Sequence, residues 1–165
     1  MRTPYRRPGQ YAQIPPDHQL TPAKFSALKK RLAAALALRP AAIAEMQKHA
    51  FDGDFSENAP YQIAKARLRG LNQKILELEE TLKYAEIIDL QPPKDKISIG
   101  SSVDVEIDGQ IKTYQILGSA ETAPAAGIIS YRSPLGAALL GHKPGDQISF
   151  PAGKRAMLCR VIKIN

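Results

Sequence analysis

Three carboxylates fall within one short stretch, Phe51 to Asn58 (FDGDFSEN): Asp52, Asp54 and Glu57. An acceptor followed three residues later by Glu at a helix start is the pattern of a capping box. In that role Asp54 and Glu57 would satisfy backbone N–H groups for about 1 kcal/mol. Held in a loop instead, the same pair offers hard oxygen ligands to a divalent cation. Pro60 bears on the choice. A helix starting at Asp54 would carry Pro60 beyond its first turn, where the missing N–H removes a ladder bond. A start near Asn58 puts Pro60 in the first turn and leaves both carboxylates free. Three cations follow, Lys65, Arg67 and Arg69. Lys65 and Arg69 are four residues apart and share one helix face, which reads either as a patch for phosphates or as a solvated surface. Tyr61 could stack on a base, but it also opens the apolar period of the next helix and reads as packing. His49 is a lone histidine, read as surface or packing.

These groups need elements to hold them. From Thr21 and Pro22, a helix start, Phe25, Leu28, Leu32, Leu36, Ile43, Met46 and Ala50 recur at mostly three- and four-residue steps. Pro40 interrupts this stretch, and a kink or short break near Arg39 is expected. The second period is cleaner: Tyr61, Ala64, Leu68, Leu71, Ile75, Leu78, Leu82 and Ala85 form a coiled-coil seam. The short connection between them, with Gly53, predicts an antiparallel hairpin over residues 21–90. At ~1.5 Å rise per residue its arm is on the order of 45 Å long, and the acidic segment is its tip. Residues 1–20, with Pro4, Pro8, Pro15, Pro16, Arg2, Arg6 and Arg7, carry no apolar period and read as a flexible arm.

Gln91 to Lys96 (QPPKDK) ends the helical pattern and is taken as a linker. Beyond it, residues 97–165 are β-like. Val103 to Ile107 alternates apolar and polar, meets Asp108-Gly109, and resumes from Ile111 to Leu117. With Ile128 to Tyr131, Gln147 to Phe150 and Met157 to Ile164 there are about five strands, and a short helix is expected at Pro134 to Leu140. The fold class is α+β.

With 44% hydrophobic and 24% charged residues, and no apolar run of the ~18 to 20 residues that span a bilayer, the chain reads as a globular protein without membrane insertion. Its N-terminus lacks the apolar core of a secretory signal, so a cytoplasmic location is expected. A single cysteine and three scattered histidines offer no zinc-site spacing, and no metal is expected to bind the chain stably by itself. The net charge of +7 suits work near nucleic acid, although it sets association rather than fold.

Gly53 to Tyr61 (GDFSENAPY) resembles the G-D-x-x-E-N-A-x-Y signature at the hairpin tip of the GreA and GreB transcript cleavage factors. Ala85 to Asp89 (AEIID) resembles the end of that family's second helix, and Ile97 to Ser101 (ISIGS) the entry to its C-terminal module. Ile129 to Gly141 (ISYRSPLGAALLG) is similar to its I-S-x-D-S-P-x-x-x-A-L-L-G run. These motifs occur in order and the resemblance covers roughly residues 21–165. Tyr61-Gln62, Lys65 and Arg67-Leu68-Arg69 look closer to GreB than to GreA. The resemblance implies a coiled-coil hairpin followed by a C-terminal domain of FKBP-like fold, acting as a monomer on bacterial RNA polymerase through its secondary channel. It implies that Asp54 and Glu57 support the second Mg²⁺ of the polymerase active site. Lys65, Arg67 and Arg69 would hold the nascent RNA 3′ segment, and Arg132, Ser133 and Pro134 would dock on the polymerase. The chain would have no cofactor of its own and would not itself be the enzyme.

Two departures stand out: Arg132 replaces the family's usual acidic residue, and the proline-rich arm matches nothing in the family pattern. The alternatives are an inhibitor that occupies the same channel without supporting cleavage, a peptidyl-prolyl isomerase, and a structural adaptor. The isomerase needs an aromatic-lined pocket, for which the C-terminal module offers only Tyr114, Tyr131 and Phe150. The adaptor reading leaves the acidic tip unexplained.

Overall fold

The computed structural model describes residues 17–50, 58–153 and 155–165. Helix α1 runs over Pro22–Ala50 and helix α2 over Ala59–Lys83, packed antiparallel along one seam. Thr21 starts α1: its Oγ1 accepts from the Lys24 N–H at 3.1 Å, and Pro22 takes the first helical position, where a missing N–H costs nothing. The expected break near Arg39 does not occur, and α1 is continuous through Pro40. Pro40 lies on the exposed side of the helix, where water can serve the carbonyl that its missing N–H leaves unpaired.

The α2 seam is the predicted one, with Ala64 and Ile75 fully buried and the other members half-buried. The α1 seam needs one correction. Leu36 is 41% exposed, and Ala35, at 5%, takes its place. Leu28, Ala35 and Ala42 are the buried residues of α1, each seven positions from the next. Seven residues are close to two turns, whereas repeated steps of four, such as 28-32-36, drift around the helix and off the contact line. The small side chains at 35 and 42 let the two backbones approach, so spacing outweighs side-chain size.

The C-terminal module is a five-stranded sheet of β3 (Ser102–Ile107), β4 (Gln110–Leu117), β5 (Ile128–Ser130), β6 (Gln147–Ala152) and β7 (Arg155–Ile164), in the order β5-β4-β3-β7-β6. Neighbours are antiparallel except β4 and β5, which are parallel. Asp108 and Gly109 make the β3–β4 turn with φ of 51° and 75°, the left-handed pair that a two-residue hairpin requires. The short helix α3 (Pro134–Leu139) packs against β5 and β6 and drives Leu139 into a core with Val103, Val105, Ile116, Phe150 and Val161. The whole is α+β. Among the described residues no helix is long and apolar enough to cross a membrane.

The reading of residues 1–20 as an unstructured arm is corrected at its C-terminal end; residues 1–16 lie outside the described part. Gln19–Leu20 forms strand β1, parallel to β2 (Glu86–Ile87), and Leu20 is completely buried. The Glu86 N–H donates to the His18 carbonyl at 2.8 Å and the Ile88 N–H to that of Leu20 at 2.9 Å. Gln19 and Glu86 also join through their side chains. A two-residue strand has no period to read, and its partner becomes adjacent only once the hairpin has folded.

The same strip touches the sheet module. Asp17 Oδ2 accepts from the Ser119 N–H at 2.6 Å, while Oδ1 accepts from the Tyr131 hydroxyl at 3.2 Å and the Gln19 N–H at 3.1 Å. Glu121 takes two bonds from Thr21, from its N–H at 2.7 Å and its hydroxyl at 2.6 Å. Burial alone would raise the Asp17 pKa, but the hydrogen bonds from Ser119, Gln19 and Tyr131 outweigh it and hold the carboxyl below its ordinary range.

Two outcomes follow for stability. Ile75→Ala should cost ~2 to 4 kcal/mol, because it empties a closed seam position, whereas Leu36→Ala should cost under about 1 kcal/mol; urea unfolding followed by helical circular dichroism separates them. Because the folded Asp17 carboxyl is depressed, its contribution is complete above the ordinary aspartate value of about 4 and is lost as pH falls below it. The melting temperature of Asp17→Asn should therefore lie below wild type at pH 7, and the gap should close as pH drops below about 4.

Candidate functional site

The acidic pair Asp54 and Glu57, with Asp52, lies in residues 51–57, outside the described residues; the frame that carries them is described on both sides. Asn58 is the N-cap of α2: its Oδ1 accepts from the Tyr61 N–H at 3.0 Å, and Pro60 sits in the first turn. The other end of the same amide reaches across the hairpin, where Nδ2 donates to the His49 carbonyl at 2.6 Å. One side chain thus starts α2 and satisfies a carbonyl in the last turn of α1, pinning together the two chain ends between which the acidic segment runs. Lys48 and His49 complement the negative end of the α1 dipole, and the positive end of α2 faces the same segment. Asn58 thus caps α2 through its own side chain.

The three cations below the tip are not brought together. Lys65 and Arg69 line one shallow groove with Met46, Leu68, Asn72, Gln73 and Leu76, and the Lys65 ammonium stands 5.6 Å from the centre of the Tyr61 ring. Arg67 instead crosses to α1, where one guanidinium nitrogen bonds both oxygens of Glu45 at 2.8 and 2.9 Å. Glu45 and Met46 are successive residues, so they point about 100° apart around α1. Arg67 therefore belongs to a different flank from Lys65 and Arg69. The pairing is across helices, which the spacing on α2 alone could not show. Tyr61 is half-buried on the seam.

The loop before α3 is built by its own hydrogen bonds. Ser133 caps α3: its Oγ accepts from the Gly136 N–H at 3.0 Å and donates to the Ser130 carbonyl at 2.7 Å, with Pro134 first in the helix. Gly136 is packed so closely that a Cβ there would lie 2.1 Å from the Ser130 carbonyl oxygen. Arg132 is exposed. Its guanidinium lies over the Tyr131 ring, 5.4 Å from the centre, and Nε donates to the Tyr131 hydroxyl oxygen at 2.9 Å. The loop thus presents a cation held by an aromatic ring. Tyr131 in turn bonds Asp17, so Asp17 and Glu121, which no sequence pattern marks, connect this loop to the base of the hairpin.

Phe150 is buried in the sheet core and Tyr114 and Tyr131 pack against it. The aromatics of the module are occupied in packing rather than arranged around an open proline pocket. Among the described residues no group of three or more His, Cys, Asp or Glu side chains is placed to hold a metal ion.

Residues 18–87 match the family model for the N-terminal domain of transcription elongation factors, and residues 92–165 match that for the C-terminal domain of GreA/GreB elongation factors. The transcription elongation factor GreA of Thermomicrobium roseum is 40% identical over 124 residues, covering 74% of this chain and 78% of that protein. GreA of Acidiphilium cryptum is 45% identical over 121 residues, 69% of this chain and 74% of that one. Among solved structures, GreA factor homolog 1 of Thermus thermophilus is 28% identical, covers 88% of this chain and 97% of its own, and has a TM-score of 0.40. With both of its modules matched in order, the chain belongs to the GreA/GreB family of transcription elongation factors.

Proposed function

We propose that this chain stimulates cleavage of backtracked RNA by bacterial RNA polymerase, inserting the hairpin through the secondary channel while the sheet module docks outside. The observation that carries this reading is the cap at Asn58. It starts α2 through its own side chain and fastens together the two helix ends between which Asp54 and Glu57 lie in the sequence, at the far end of a long arm. Carboxylate oxygens suit a hard divalent cation. The Mg²⁺ belongs to the polymerase active site, where a two-metal arrangement supplies an activated water and stabilises the leaving oxygen. Asp54 and Glu57 would complete the shell of the more weakly held ion and help orient that water. Asp52 adds negative charge at the same end. The cutting is the polymerase's, and this chain is not itself the enzyme.

Lys65 and Arg69, on one groove beside Asn72 and Gln73, suit the phosphates of an extruded RNA 3′ segment. Arg67, held by Glu45, contributes to the hairpin instead. A second reading is an inhibitor that fills the channel without supporting cleavage. Arg132 favours it, since a cation stands where the family's docking loop usually carries an acid.

In stalled, backtracked elongation complexes with Mg²⁺, the wild type should accelerate RNA cleavage, and Asp54→Ala/Glu57→Ala should lose about 10²-fold or more of that acceleration while still binding polymerase. Binding without any acceleration by the wild type would replace the cleavage reading by the inhibitor. Lys65→Ala/Arg69→Ala should raise the factor concentration needed for half-maximal cleavage on the order of tenfold and flatten its salt dependence, with Arg67→Ala changing it less than about twofold.

A further inference from the structure

We infer that Asp17 and Glu121 are positioning residues that set the direction of the hairpin relative to the docking loop, and so decide where the tip carboxylates arrive. The inference rests on the functional reading above for its purpose, but the geometry that supports it lies at the opposite end of the arm. Past β2, the chain leading into the sheet module forms no helix or strand until β3 and is held by backbone packing, with a Cβ on Gly100 falling 1.8 Å from the Asp89 carbonyl oxygen; this link is the first attachment between the modules. The second attachment is the strip 17–21, and it is made of directed bonds. Both oxygens of Glu121 are taken by Thr21, the residue that starts α1. A carboxylate of the sheet module therefore holds the first turn of the arm at its electropositive end.

Asp17 adds a second point. It accepts from the Ser119 N–H and the Tyr131 hydroxyl, and Tyr131 itself accepts from Arg132 Nε, so one hydrogen-bonded chain runs from the docking loop to the base of the hairpin. Gly118 sets the spacing between them: a Cβ there would lie 2.0 Å from the Gln19 carbonyl oxygen. Two anchor points and a backbone contact fix an orientation where a single tether would not.

The arm makes that orientation consequential. Helix α1 has 29 residues. At ~1.5 Å per residue it reaches about 43 Å from Thr21, so a tilt of about 5° at the base moves the tip by roughly 4 Å. Chemistry at a metal is sensitive to displacements of about 1 Å. A relaxed base would leave docking intact and deliver the carboxylates to the wrong place.

The test reads orientation and function separately. Spin labels at Lys48→Cys and Lys112→Cys, both exposed sites on the two modules, report the distance between them in the free protein; Cys159 is buried and stays unlabelled. Wild type should give one narrow distance distribution, and Asp17→Ala/Glu121→Ala a distribution at least twice as wide, with an unchanged circular dichroism spectrum. In cleavage assays the same variant should lose about tenfold in maximal rate, while the concentration for half-maximal effect changes less than about threefold. Should the double variant lose its fold, Thr21→Val and Gly118→Ala each disturb one contact and should each broaden the distribution. A distribution as narrow in these variants as in wild type would overturn the inference. So would a loss confined to the half-maximal concentration. Failure of the unmodified chain to stimulate cleavage would count against the functional reading, and the distance measurement would still decide the orientation claim.

Discussion

Two helices that pack only on each other bury one narrow stripe apiece, and a stripe of that width does not by itself hold helices of 29 and 25 residues in register. This hairpin depends on closure at both ends. Near the tip, among the described residues, the closure is made by Asn58, bonded to α2 through its oxygen and to α1 through its nitrogen. At the base it is the pairing of β1 with β2, which seals Leu20 and Ile88 from water. Between them the buried residues are Leu28, Ala35 and Ala42 of α1 and Ala64 and Ile75 of α2, and the alanines let the helices approach closely.

The sequence is most informative where contacts are local or periodic. Every member of the α2 seam from Tyr61 to Leu82 is at least half-buried, as its three- and four-residue steps indicate; the helix ends at Lys83, before Ala85. Asp108-Gly109 makes the hairpin turn because few other pairs accept two left-handed residues in succession. Ser133-Pro134 announces α3 by its capping chemistry. The α1 seam was harder to read because leucines at 36 and 38 compete with alanines at 35 and 42, and composition favours the larger residue where register selects the smaller. The strip 17–21 could not be read at all. Its partners lie 67 to 114 residues away, and neither Asp17 nor Glu121 stands in a pattern that local physics would mark. Of the candidate site, the identity and spacing of Asp54 and Glu57 were legible, while the grouping of Lys65 with Arg69 and the diversion of Arg67 to Glu45 required the relative rotation of two helices.

Family membership and individuality sit in different parts of the molecule. Both matched modules are present in the usual order. The loop before α3 keeps the Ser-Pro cap that builds it, yet carries Arg132 stacked on Tyr131 where the family's motif carries an acid. A guanidinium held on a ring is pre-ordered to meet a carboxylate or a carbonyl.

The parallel pairing of β1 with β2 also constrains the order in which the chain can fold. An α-helical hairpin closes from its turn through contacts between near neighbours, and it can do so as soon as its second helix has been made. β1 has nothing to pair with until residue 86 exists, and Thr21 has no Glu121 to bond until the sheet module has begun to form. Contacts across such sequence separations are slow to find. During synthesis residues 17–21 must therefore wait, and they reach their places at the base only once β2 and Glu121 have been made, after the hairpin between them has had time to close.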